Sequence, residues 1–197
     1  SAIQETPPPP VTITLAAVGD NLLHNTVYHW AQTASGYDFL PLYQPVAPLI
    51  AQADIAFVNQ EAPASGQPPS SYPTFNSPQE ALRDLVKLGF DVINLANNHM
   101  MDKGGQAVLD TLAFTDTLDC LTIGAHQSSE ARTQPAIIEK NGITVGFLGY
   151  TYGTNGIPLP KNQPDLISLI DTDTITQEVN ALRSQCDFLV VSMHWGN

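Results

Sequence analysis

The sequence predicts an α/β fold with a mixed sheet, on three observations. Apolar runs of strand length alternate with segments of helical spacing. Four of those runs, residues 11–18, 53–58, 91–95 and 188–193, end in polar side chains of ligand chemistry: Gly19-Asp20, Asn59-Gln60-Glu61, Asn97-Asn98-His99 and His194-Trp195-Gly196. Late in the chain, residues 136–139 and 144–148 flank Lys140-Asn141-Gly142, whose Asn-Gly step is a hairpin signature and adds an antiparallel pair.

Taken in order, residues 1–10 end in four consecutive prolines, Pro7 to Pro10. Such a segment cannot join a sheet ladder and favours an extended polyproline form. It reads as a linker ahead of a single domain over 11–197. The chain begins without Met, which sets the expectation of a removed upstream signal or anchor. Residues 25–52 contain a loop around Tyr37-Asp38 and a helix after Pro45 with Val46, Leu49 and Ile50 on its apolar face. Residues 62–78 are crowded with Pro, Ser and Gly and read as a surface loop, of a length that in a compact domain signals function. Ser77-Pro78 opens the next helix in cap-then-Pro order, Leu82, Leu85 and Val86 form its apolar face, and Gly89 ends it. The strand at 91–95 follows, then a helix at 106–114 bearing Val108, Leu109 and Leu112, and a short strand at 121–123. After the hairpin come a Gly- and Pro-rich loop at 151–164, a helix at 174–186 and the last strand. That strand reads Phe-Leu-Val-Val-Ser-Met, the pattern of one covered on both faces, which calls for neighbours on both sides.

The 197 residues suffice for one domain with a real core. Hydrophobic residues make up 43% and the mean hydropathy is −0.05, as in a soluble globular protein. No apolar run is long enough to span a bilayer. The formal net charge is −12, with seven Lys and Arg against 19 Asp and Glu. Binding to a phosphate backbone needs a basic surface, so nucleic acid is excluded as the expected partner. The acidic surplus suits attraction of cations. Charged residues are only 13%, which favours an exported protein. Cys186 continues the helical stripe Ile175, Val179, Leu182 and reads as a buried, inert thiol. It can pair with Cys120 only if the two Cα atoms lie within about 7 Å.

Strand endings deliver Asp20, Glu61, Asn98, His99 and His194 to one sheet edge, where open α/β sheets place ligand sites. Carboxylates, imidazole and amide oxygens together suit hard or borderline cations, and two ions about 3.5–4 Å apart can activate water and clamp a phosphoester. Each residue also has a plainer reading. Asp20 after Gly19 suits a turn that accepts backbone N–H bonds. Asp102 suits loop ordering or a cap on the helix near Gly104. His194, flanked by Met193 and Trp195, suits a core histidine. Glu61 is harder to dismiss, because a carboxylate closing a buried strand needs a partner or a metal.

Gly19-Asp20, Asn59-x-Glu61, the block Gly89-Phe90-Asp91…Asn97-Asn98-His99-x-x-Asp102-x-Gly104, and His194-Trp195-Gly196 resemble the CapA family of bacterial capsule and poly-γ-glutamate synthesis proteins. Lesser matches are Phe75-Asn76-x-Pro78 and Gly149-Tyr150…Asn155-Gly156. The likeness runs from about Val11 to the end, and the Asn-Asn-His-x-x-Asp-x-Gly block is its most specific part. It implies a layered, calcineurin-like metallophosphatase fold and a centre of two divalent ions (Mn, Zn, Fe or Mg). It also implies Asp20, Glu61, Asn98 and His194 as metal ligands, His99 as the catalytic histidine, a general acid or charge stabiliser, and Asn59, Asn97 and Asp102 as supports of the ligands. His24 is the departure: the metallophosphatase signature begins Asp-x-His, whereas here the spacing is Asp20-x-x-x-His24. The fold so implied continues with further strands and a Gly-His-x-His-type motif. The expectation is therefore a domain incomplete at its C-terminus, its edge met by the missing segment or another copy. The functional expectation is a cell-surface, metal-dependent hydrolase-like protein of capsule or poly-γ-glutamate production, working with that anionic polymer or with synthase subunits. The alternative is a non-catalytic subunit that binds polymer or scaffolds an export complex.

Overall fold

The computed structural model describes residues 9–196. Of the proline segment, only Pro9 and Pro10 fall among them, in no regular structure. The chain runs β1 (Leu15–Asn21), α1 (Asn25–Trp30), β2 (Gln32–Thr33), β3 (Gly36–Tyr37), α2 (Leu40–Tyr43), α3 (Ala47–Ala51), β4 (Ile55–Gln60) and α4 (Gln79–Leu88). It continues with β5 (Val92–Asn94), α5 (Gly104–Thr115), β6 (Leu121–Ile123), α6 (Ser129–Arg132), β7 (Ile137–Lys140), β8 (Ile143–Thr151), α7 (Thr172–Arg183) and β9 (Phe188–His194).

Two sheets carry the architecture. The first is wholly parallel, in the order β1-β4-β5-β6. The second is mixed: β8 pairs antiparallel with β7 and parallel with β9. Strand β4 shows why they stack. All six of its residues are buried, and its side chains alternate between two cores. Ile55 and Phe57 join Val92, Ile123, Val145 and Phe147 between the sheets. Ala56 and Val58 join Leu82 and Leu85 of α4 and Val108 and Leu112 of α5 on the other face. Helix α7 covers the far side of the second sheet through Gly146, where an added Cβ would lie 2.9 Å from Cys186 Sγ and 3.1 Å from Leu182. The layers are thus helix, sheet, sheet, helix.

The hairpin forms on its Asn-Gly turn, with Asn141 at φ 52° and Gly142 at φ 77°, the left-handed pair such a turn requires. Gly89 ends α4 at φ 112°. Asp171 caps α7, its side chain accepting the Thr174 N–H at 2.8 Å.

Several expectations need correction. The first strand lies at Leu15–Asn21 rather than 11–18, and the second at Ile55–Gln60 rather than 53–58, because their parallel ladder continues through Asp20 and Asn59. The helix after Pro45 buries Ile50 but leaves Val46 and Leu49 exposed, since only one turn forms and it meets α4 along one edge. Ser77 does not cap α4; its hydroxyl accepts from Gln60 Nε2 at 3.2 Å instead. Helix α7 starts and stops earlier than 174–186, so Cys186 lies beyond it, buried all the same, and both cysteines are free. Strand β9 is not covered on both faces. Among the described residues it pairs only with β8, and Phe188 is 63% exposed. Helix α1 and the small β2–β3 hairpin were not foreseen.

Candidate functional site

The carboxyl ends of β1, β4 and β5 lie side by side, and β9 brings its own end to the same region. One extra residue in β1 shifts its register between Ala17 and Asp20, so that Asp20 comes to face Asn59. Bulges of this kind re-aim side chains beside functional sites. Asn59 Nδ2 donates to Asp20 Oδ1 at 2.6 Å and to Asn97 Oδ1 at 2.7 Å, and Asn97 Nδ2 donates to the Gln60 carbonyl at 2.8 Å. Gln60 itself is buried and takes a bond from Asn21 Nδ2 at 2.7 Å, while the Tyr43 hydroxyl donates to Asn21 Oδ1 at 2.6 Å.

Asn98 and His99 stand on the turn after β5. His194 Nε2 meets Asn98 Oδ1 at 2.9 Å. His194 Nδ1 lies 3.8 Å from Asp20 Oδ1, and its Nε2 lies 4.0 Å from Glu61 Oε1. Burial pushes the His194 pKa down, against the pull of Asp20 and with the push of His99. An amide oxygen only accepts, so Nε2 carries the proton and the Nδ1 lone pair of the neutral ring faces the Asp20 carboxylate. Glu61 is raised above the usual carboxylate range by burial first, then by Asp20 and Asp102, with His99 opposing. Tyr152 stacks on His194 with ring centroids 6.1 Å apart.

His99 is held on its other side. Its Nδ1 bonds Asp102 Oδ2 at 2.7 Å, and the same oxygen accepts the Phe75 N–H at 2.8 Å. Asp102 therefore ties the 62–78 loop to His99 and does not cap α5, whose first turn has no side-chain cap. The Phe75 ring meets His99 edge-on at 4.8 Å and His24 edge-on at 5.0 Å. His24 turns away to Ser71 Oγ at 3.3 Å and stays exposed, so it does not join the group.

Asp20, Glu61, Asn98, His99 and His194 thus converge, with Asn59, Asn97 and Asp102 in support. Two contributors were not among the expected site residues, although Asn155 stands in one of the lesser family matches. Asn94, a polar residue inside an apolar strand, is fully buried and donates to Asn59 Oδ1 at 2.6 Å. Asn155, at φ 52° before Gly156, accepts from Asn98 Nδ2 at 3.0 Å and lies 3.3 Å from His99 Nδ1. The signal for Asn94 was its break in the strand's apolar run. For Asn155 it was the Asn-Gly pair in a long loop.

The donor types suit a divalent cation: two carboxylates, an imidazole and an amide oxygen, with no Lys or Arg ion-paired to them among the described residues. Two acceptors facing each other at 3.8 Å, His194 Nδ1 and Asp20 Oδ1, form a contact that a cation would relieve. Against this, His194 Nε2 is engaged by Asn98. Among the described residues no three His, Cys, Asp or Glu side chains form a group that could hold a metal ion. The expected two-ion centre is therefore not assembled here.

A cleft of about 620 Å³ lies elsewhere, between β6, β8, α6 and α7. Its polar wall is a closed network rather than a convergence of ligands: Arg132 pairs with Asp165 at 3.0 Å and Glu178 at 2.7 Å, and the Tyr150 hydroxyl donates to Glu178 at 2.6 Å.

Two sheets packed face to face between helices, with polar side chains at the carboxyl ends of parallel strands, define a metallophosphatase-like α/β domain. A crystal structure of a "Putative 5'-Nucleotidase" from Staphylococcus aureus shares this fold, with a TM-score of 0.54 and 15% identity over 94% of this chain and 38% of that one. The chain belongs to the family described as bacterial capsule synthesis protein PGA_cap, which matches residues 14–197. Among its relatives, the capsule biosynthesis protein CapA of Bacillus anthracis is 25% identical over 93% of this chain and 46% of its own length. The PGA biosynthesis protein CapA of Bacillus subtilis (strain 168) is 29% identical over 79% of this chain and 42% of its own length. The chain thus spans less than half the length of these relatives.

Proposed function

We propose that this chain is a cation-binding, hydrolase-like domain acting at the cell surface in capsule or poly-γ-glutamate production. Family membership supports the biosynthetic role. The observation that carries the site reading is His194, whose neutral ring sits between the carboxylates of Asp20 and Glu61. In this reading Asp20, Glu61, Asn98 and His194, which do not form a metal-holding group as they stand, would draw together around a divalent ion, which would supply Lewis acidity and an activated water. Asp102 accepts from His99 Nδ1 and fixes that ring, so that Nε2 is the atom left for a substrate, and it donates to a leaving group only from the doubly protonated imidazolium. An anionic polymer is a poor match to a protein of charge −12 unless a bound cation inverts the local sign, so the polymer and the ion belong to one proposal.

One observation favours a second reading. His24 turns to Ser71 and lies outside the group, as in a degenerate site that binds polymer or a synthase subunit without cleaving anything. Elemental analysis of protein equilibrated with Mn²⁺ or Zn²⁺, paired with hydrolysis assays on phosphodiester and γ-glutamyl substrates, separates the two. Stoichiometric metal with turnover supports the hydrolase. Metal-free protein without turnover supports the binding subunit.

A further inference from the structure

Asn94 is 0% exposed at the end of β5. Its Oδ1 accepts the Ala96 backbone N–H at 3.3 Å and its Nδ2 donates to Asn59 Oδ1 at 2.6 Å. Asn59 Nδ2 then donates to both Asp20 Oδ1 and Asn97 Oδ1, and Asn97 Nδ2 ends the series on the Gln60 carbonyl. A backbone N–H can only donate and a backbone carbonyl can only accept. The two ends therefore dictate the sense of every amide between them, and reversing any one sets oxygen against oxygen or N–H against N–H. The fold also reserves the space. Asn94 lies against Gly149 of β8 and Gly124 after β6; a Cβ on Gly124 would fall 2.7 Å from its Oδ1, and one on Gly149 would overlap it.

We propose that Asn94 is a positioning residue for Asp20, acting through Asn59 to set the direction in which the carboxylate faces the site. It touches neither His194 nor Glu61 in any bond described above, and its influence passes through one amide. The inference deepens the cation-site reading and rests on it for its functional meaning, but the relay can be judged separately. Asn94→Asp is the informative change, because it keeps the size and removes the donor. Asn59 must then turn its N–H groups toward position 94 and its oxygen toward Asp20.

The test is a Mn²⁺ titration, followed by the free-ion paramagnetic signal, of the full chain, Asn94→Asp, Asp20→Ala and the double variant. Loss of a group that orients a ligand costs roughly 10–100-fold in metal affinity, and that loss is expected for Asn94→Asp. In the Asp20→Ala background the same change should have no further effect, a coupling that a merely structural role would not produce. Unchanged affinity, or the same loss in both backgrounds, overturns the proposal. A second measurement needs no metal and no buried charge: the Asn59 side-chain amide protons, both hydrogen-bonded, should exchange slowly in the wild type and quickly in Asn94→Ser. Fast exchange in the wild type overturns the relay even if Mn²⁺ binds. Slow exchange without Mn²⁺ binding sinks the cation reading and leaves the relay standing.

Discussion

His99 and Asp102 are joined by a 2.7 Å bond from imidazole Nδ1 to carboxylate Oδ2, on a side chain of Asp102 that is only 2% exposed. The same oxygen accepts the Phe75 N–H. One carboxylate thus fixes both the tautomer of the histidine and the anchor of the long 62–78 loop.

Asp102→Ala should therefore do more than remove a helix cap. It leaves a backbone N–H and an imidazole N–H without their charged acceptor, which costs about 2 kcal/mol. Urea unfolding should show that loss, and Asp102→Asn should recover part of it by keeping an acceptor. A loss within 0.5 kcal/mol, about that of an ordinary surface change, would contradict the buried role.

Much of this architecture was legible because periodicity and turn chemistry are local. Leu121–Ile123 and the Asn141-Gly142 turn follow from a few adjacent residues. The convergence of Asp20, Glu61, Asn98, His99 and His194 follows from strands that end in polar groups. What stayed hidden depends on partners far along the chain. Leu49 is exposed because a single turn of helix meets α4 along one edge only. Asp102 is a support for His99 because Phe75 arrives from another loop. Asn94 is buried because two glycines, at 124 and 149, leave room for it.

The approach of α7 to β8 gives a packing prediction. A Cβ at Gly146 would meet Cys186 Sγ at 2.9 Å and Leu182 at 3.1 Å, and both of those residues are buried. Gly146→Ala should cost about 1–3 kcal/mol by overpacking. Gly153→Ala, with nothing within 4 Å, is the control and should stay within about 0.5 kcal/mol of wild type. Equal midpoints in denaturant for the two variants would mean that α7 does not pack as described.

The cation site predicts unequal effects among the acids. Asp20→Ala and Glu61→Ala should each weaken Mn²⁺ or Zn²⁺ binding strongly, leaving a residual affinity that titration still reads, while Asp165→Ala, in the Arg132 network, should leave it intact. Equal metal content in wild type and both site variants, by elemental analysis, would remove the assignment.

The last prediction concerns acid. His126 bonds Ser168 Oγ at 2.9 Å, and burial pushes its pKa down to about 4, with Arg132 of α6 adding to the effect. Glu178 of α7 and Asp165 of the preceding loop oppose it. In the unfolded chain the same imidazole titrates near its ordinary value of about 6.5. Between these two values the unfolded state holds more protons than the folded one, so stability rises with pH through that window. Acidification from about 6.5 to 4 should then destabilise the fold, by up to roughly 3 kcal/mol from this group alone. Below 4 it contributes no further change. His126→Gln keeps a polar partner for Ser168 and has no proton to gain, so it should flatten the slope of unfolding free energy between pH 4 and 6.5. Denaturant titrations across that range, wild type against His126→Gln, read the difference directly. Parallel slopes for the two proteins would show that His126 is protonated as readily inside the fold as outside it.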